Sequence, residues 1–134
     1  MEPELAELSV DLSSATHRLL AVLPPVVHED QWWDGSEEHF VRDLNESLRI
    51  FNEWHDRGCP PGDFERTLAD MEAAETLELP PDLSPADLLA AQLLLVARTG
   101  ADTWKIVLDV EIDSAIRQNA IDAAVAYLRA RGWA

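Results

Sequence analysis

Only one cysteine, Cys59, stands among the 134 residues, so no internal disulfide can form and stability has to come from a packed core. Basic side chains are also scarce: ten Lys and Arg face 26 Asp and Glu, giving a formal charge of −16. Such a surface repels phosphate backbones and anionic headgroups, which argues against nucleic acid and membrane surfaces as partners. There are only five glycines, no low-complexity tract and no internal repeat, and the apolar share of 47% is that of a folded chain rather than a disordered one or a solenoid. No Gly-rich phosphate loop, G-x-S-x-G elbow or zinc-ligand spacing occurs, and no cofactor is expected. The opening MEPELAEL has neither a basic stretch nor a continuous apolar one, which together with the lone cysteine predicts a cytoplasmic protein.

Long apolar runs are few, and the one that stands out, SPADLLAAQLLLVARTG at 84–100, organises the rest. Ser84 is suited to cap a helix, Pro85 to its first turn and Asp87 to the positive end of the dipole, while Gly100 marks a stop. Leu88, Leu89, Ala91, Leu93, Leu94, Leu95 and Val96 leave almost no polar face, so the helix belongs inside a core, and it is too short to span a bilayer.

Amphipathic segments flank it. Leu5, Leu8, Leu12, Ala15, Leu19 and Val22 recur at spacings of three and four and predict a helix over 3–23, ended by Pro24 and Pro25. Residues 26–35, VVHEDQWWDG, read as a loop closed by an Asp-Gly turn. Ser36 or Asp34 caps a second helix with Phe40, Leu44, Leu48 and Phe51 on its apolar face and Gly58 as its stop. Asp63 caps a third, with Phe64, Leu68, Met71, Ala74 and Leu77 inward and carboxylates outward. A last helix over 114–131 carries Ile116, Ile121, Val125 and Leu128 and stops at Gly132. Between Thr103 and Asp113 both periodicities fit. Helix is preferred and a short strand at 104–112 is the minor reading, because a lone strand would need a partner across a dimer. The expectation is one all-α domain over 1–134, a compact bundle of five or six helices around a buried central helix at about 84–99.

His39, Asp43 and Glu46 share a helix face at metal-ligand spacing, yet no second ligand pair of the His-x-x-x-His or Glu-x-x-His kind occurs, so a solvated polar face is the better reading and no metal site is expected. His17 falls off the apolar stripe and His55 sits at a helix end, where a cation is favoured. The pairs Glu72-x-x-Glu75 and Glu53-x-x-Asp56 resemble the magnesium-binding carboxylates of all-α nucleotide pyrophosphohydrolases, but in the wrong order along the chain and without the basic residues that hold a phosphate chain. Cys59 in GCPP has only Arg57 as a basic neighbour and lacks an activating base.

Two surfaces remain as candidate binding sites. One is the pair Trp32 and Trp33 with Asp34 in the loop, since indoles are preferred interface anchors. The other is the carboxylate-rich third helix with Asp63, Glu65, Asp70, Glu72, Glu75 and Glu78. In size and charge the chain resembles toxin-neutralising immunity proteins and mimics of nucleic-acid charge, and that resemblance implies a small acidic, non-catalytic regulatory module that meets a basic protein partner, with a homodimer as a further expectation. The alternative is a small-molecule-binding or catalytic helical protein with a pocket between the central helix and the 26–35 loop, using His28, Glu29, Asp30 and His39. The loop reading is checked by Trp32→Ala and Trp33→Ala: at least one should leave the melting temperature nearly unchanged while weakening partner binding by about 2 kcal/mol or more. Loss of about 3–5 kcal/mol of stability in both would mark the indoles as core.

Overall fold

The computed structural model describes residues 5–22, 36–59, 68–80, 83–108 and 114–133, with side chains in those segments outside 36–43, 68–69 and 99–108. Among the described residues five helices follow in chain order: α1 (Leu5–Val22), α2 (Ser36–Asp56), α3 (Leu68–Thr76), α4 (Pro85–Leu108) and α5 (Ser114–Ala130). They pack together as an all-α bundle, and α4 touches each of the other four. Among the described residues there is no strand, and no helix is long and apolar enough to cross a membrane.

The core is leucine on leucine. Leu12 and Leu19 of α1, Leu44 of α2, Leu89 and Leu93 of α4 and Leu128 of α5 are all fully enclosed. The α1 stripe is buried at Leu8, Leu12, Ala15 and Leu19, while Leu5 and Val22 at its two ends reach solvent. On α4 every residue from Pro85 to Leu94 is buried, whichever way it points. This is the pattern of a helix covered on all sides. Alanines set the contact with α5: Ala86, Ala90 and Ala97 share one cluster with Ala120 and Ala124, and small side chains let two helix axes approach closely.

Two expectations are corrected. The third helix keeps Ala74 and Leu77 inward as read, but Met71, read as inward, is 52% exposed, and Asp70, read as outward, is buried with Ala73. Asp70 tolerates burial because the Ser47 hydroxyl of α2 donates to its Oδ1. Gly100 does not stop a helix, and the piece from Thr103 to Leu108 is neither a strand nor a separate element but the last turns of α4; 109–113 lie outside the described residues. A glycine ends a helix only where the chain turns left-handed, and Gly100 lies inside α4. Inside a helix it costs about 1 kcal/mol relative to alanine. Arg117 of α5 braces this region, its Nε donating to the Ala97 carbonyl at 2.7 Å and its Nη2 to that of Arg98 at 3.4 Å. On α5 the buried residues are Ala120, Ala124, Tyr127 and Leu128, with Ile116, Ile121 and Val125 only partly covered.

The C-terminal ends of α2, α3 and α5 close in the same way. A residue with positive φ donates to the carbonyl three before it, and the next residue donates to the carbonyl five before, the two bonds of a Schellman motif. At α2 these are Gly58 to His55 and Cys59 to Trp54, both at 3.0 Å; at α5 they are Gly132 to Arg129 and Trp133 to Leu128, both at 2.9 Å. At α3 the left-handed residue is Glu78, φ 56°, bonded to Glu75 at 3.0 Å, with Leu79 bonded to Ala74 at 2.9 Å. A side chain in that conformation costs about 1–2 kcal/mol that glycine escapes. Part of that gain is offset by the freer unfolded chain that glycine allows. Glu78→Gly should therefore stabilise the fold by about 0.5–1 kcal/mol, a rise of about 2–4 °C in the thermal midpoint. An unchanged or lowered midpoint would show that the Glu78 side chain does more than occupy a strained turn.

Candidate functional site

The end of α3, the end of α5 and the start of α4 meet at one place, and the polar groups there converge on Asp87. Ser84 and Asp87 cap α4 reciprocally, the Ser84 amide donating to Asp87 Oδ2 at 2.9 Å and the Asp87 amide to Ser84 Oγ at 3.3 Å. Asp87 is fully buried, and its carboxylate also accepts from the Tyr127 hydroxyl at 2.9 Å, from Arg131 Nε at 3.1 Å and from Arg131 Nη2 at 3.4 Å. Arg131 in turn lies over the Trp133 ring, 4.4 Å from its centroid. A buried carboxylate is tolerable only when compensated in this way, and removing one partner from such a pair costs about 3–5 kcal/mol.

Apolar residues close the same junction from the other side. Leu79 and Trp133, the residues that follow the left-handed turns of α3 and α5, pack on Ala74, Leu83 and Leu88. Between α3 and α4 this leaves an open concavity of about 280 Å³, lined by Met71, Ala74, Glu75, Leu79, Pro80, Leu83 and Leu88. Among the described residues Glu75 is its one charged lining residue. Exposed Met71 stands at the lip, and Glu72, Glu75 and Glu78 reach solvent around it.

Comparison of the chain with protein-family models, curated proteins and solved structures finds no match. The site is therefore read from its own geometry.

Of the residues singled out in the sequence, Glu72 and Glu75 are exposed on α3, and Glu75 borders the concavity. Asp70 is not on that surface: it is 1% exposed and engaged with Ser47. Trp32, Trp33, Asp34, Asp63 and Glu65 lie outside the described residues, as do His28, Glu29 and Asp30; His39 belongs to α2, its side chain undescribed. Of the face His39, Asp43 and Glu46, only Glu46 is described. Arg49 bonds Glu46 and also Glu53, the latter at 2.9 Å, and the hydrogen bond from Arg49 holds the Glu46 carboxyl below its ordinary range. These ion pairs are exposed and add little stability. His17 and Cys59 are exposed, and His55 stacks on Phe51 at 5.8 Å. Among the described residues no three His, Cys, Asp or Glu side chains are grouped to hold a metal ion.

Sequence reasoning missed Tyr127 and Arg131 as partners of Asp87. The Ser-x-x-Asp spacing before an apolar run was a legible capping signal. Nothing local linked it to side chains 40 and 44 residues away.

Burial pushes the Tyr127 phenol well above its ordinary value, helped by the charge of Asp87 and its hydrogen bond and opposed by Ser84 and Arg131. Because the folded value is raised, Tyr127 contributes stability in full below about pH 10, the unfolded value, and that contribution is lost as pH rises further. Tyr127 is the chain's sole tyrosine, so tyrosinate absorbance reports it alone. Alkaline titration should show tyrosinate appearing together with loss of helical circular dichroism. Tyr127→Phe should be less stable at neutral pH by about 1–3 kcal/mol, since Asp87 loses a donor, and should depend less on pH above about 10. Reversible ionisation near pH 10 with the helices intact would overturn the buried pairing.

Proposed function

We propose that this chain is a non-catalytic binding module that takes hold of a basic protein partner through the acidic edge of α3. The observation that carries this reading is the pairing of an open apolar concavity with exposed carboxylates at Glu72, Glu75 and Glu78, on a chain of net charge −16. The buried carboxylates do not compete for that role, since Asp87 and Asp70 are engaged in holding helices together. A strongly negative surface steers a cationic partner toward it and accelerates encounter, and apolar burial then supplies the residence time. A single, exposed cysteine is in keeping with a reducing, cytoplasmic setting.

The reading is tested by selecting binders from a displayed library of random peptides at low salt. Enrichment in Lys and Arg is expected, with affinity falling as sodium chloride rises from about 0.05 to about 0.5 M and the screening length shortens to a few ångströms. The triple variant Glu72→Gln, Glu75→Gln, Glu78→Gln should bind the selected peptides about tenfold more weakly, or about 1.4 kcal/mol. Selected peptides that lack basic residues, or that ignore both salt and the triple variant, would sink the reading.

A further inference from the structure

We infer that the concavity between α3 and α4 is the seat for one apolar anchor side chain, carried by the basic partner on a segment in which Lys or Arg flanks the anchor. The inference rests on the binding-module reading and adds what the partner must present.

Size and lining choose this occupant. At about 280 Å³ the concavity falls just below the roughly 300–1,000 Å³ of pockets that enclose small molecules. Among the described residues its lining side chains are apolar except for Glu75, a poor set for orienting a polar metabolite. An inserted aliphatic or aromatic side chain leaves nothing unsatisfied there. The floor is rigid. Leu83 and Leu88 are buried and bracket the Ser84–Asp87 cap, whose carboxylate is tied to α5 by Tyr127 and Arg131. The lip is adaptable, because Met71 is exposed and its unbranched thioether can follow the shape of what enters. A fixed apolar floor beneath a pliable rim suits a central interface anchor.

Charge decides who brings the side chain. An apolar groove alone would accept a second copy of this chain as readily as any other surface. A second copy, however, carries the same −16, so net repulsion opposes its approach to Glu72, Glu75 and Glu78. Lysine or arginine beside the anchor meets those carboxylates with the opposite sign, so a basic segment of a different protein is the fitting occupant.

The chain has two methionines, Met1 and Met71, so methyl-13C-methionine labelling of the full-length protein yields two methyl signals, and Met71→Leu assigns them. Two synthetic lysine-rich peptides serve as probes, one with a central Phe and one with Ser in its place. The Phe peptide should move the Met71 signal by its ring current and bind at least about tenfold more tightly than the Ser peptide. Ala74→Phe, which fills the concavity, should abolish that preference. Overpacking at Ala74 threatens folding, so Met71→Gln at the exposed lip provides the second variant and should reduce the preference several-fold. Equal affinity for both peptides with a stationary Met71 signal would overturn the anchor seat, and the acidic-edge reading would survive if the triple Gln variant still weakened both. Failure of both peptides to bind at millimolar concentration would overturn the two readings together. A Met71 signal that moves with protein concentration alone would assign the seat to a second copy instead.

Discussion

Burial of one carboxylate constrains the bundle more than any apolar contact does. Asp87 has no exposed surface, and an uncompensated charge in that place would cost several kcal/mol, a large share of the roughly 5–15 kcal/mol that holds a domain of this kind together. The chain therefore has to deliver donors to it from elsewhere. The Ser84 amide is local, but Tyr127 and Arg131 come from the far end of the sequence, and they arrive on one helix face because they are four residues apart. An apolar seam permits several registers between two helices. A carboxylate that must find a phenol and a guanidinium at hydrogen-bond distance permits few, so the Asp87 cluster fixes where the end of α5 sits on the start of α4.

The remainder of the α4–α5 seam depends on that fixation. Alanines at 86, 90, 97, 120 and 124 fill little space and are poor at specifying register, since one small side chain substitutes readily for another. Polar ties stand at both ends of the seam: Asp87 with Tyr127 and Arg131 at one, and Arg117 on the carbonyls of Ala97 and Arg98 at the other. Register is set by the ends and close approach by the alanines between them.

How much of this the sequence disclosed follows from the range of each signal. Where a short-range rule decides, it read correctly: the spacing of Leu8, Leu12, Ala15 and Leu19 gave the inner face of α1, and Gly58 and Gly132 stand at left-handed helix ends. Where two rules of similar size compete, it misled. Gly100 after an apolar run looks like a stop, yet about 1 kcal/mol against glycine in a helix is outweighed once α4 is covered by neighbours and Arg117 braces it. Met71 and Asp70 exchanged places relative to the reading because a nine-residue helix with small alanines carries almost no directional preference of its own, and the hydroxyl of Ser47 made burial of Asp70 affordable. Glu78 in a left-handed turn is invisible to composition. The candidate site was legible only in its charge, through Glu72 and Glu75. Its shape was not, because the concavity is assembled from α3, Leu79, Pro80, Leu83 and α4.

Strain and rigidity meet at that concavity. Glu78 occupies the left-handed turn that sends the chain from α3 toward α4, and the following residue, Leu79, lies at once in the wall of the concavity and in the small apolar cluster with Trp133. The cap that ends α3 is thus also part of the wall of the concavity. On the opposite wall, Leu83 and Leu88 keep their places through the same capping box that presents Asp87 to α5. The Asp87 cluster and the concavity thus adjoin, Leu83 and Leu88 flanking the capping box and Trp133, under Arg131, packing on the same small apolar cluster. On the proposed reading the long-range component of recognition is separate, since Glu72, Glu75 and Glu78 act through solvent and are screened by salt over about 10 Å at 0.1 M, whereas an apolar seat is not. Attraction and fit would then be carried by different atoms of α3 and its C-terminal turn, so substitutions at Glu72, Glu75 and Glu78 would alter the rate of encounter and those at Met71 or Ala74 the lifetime of what has docked.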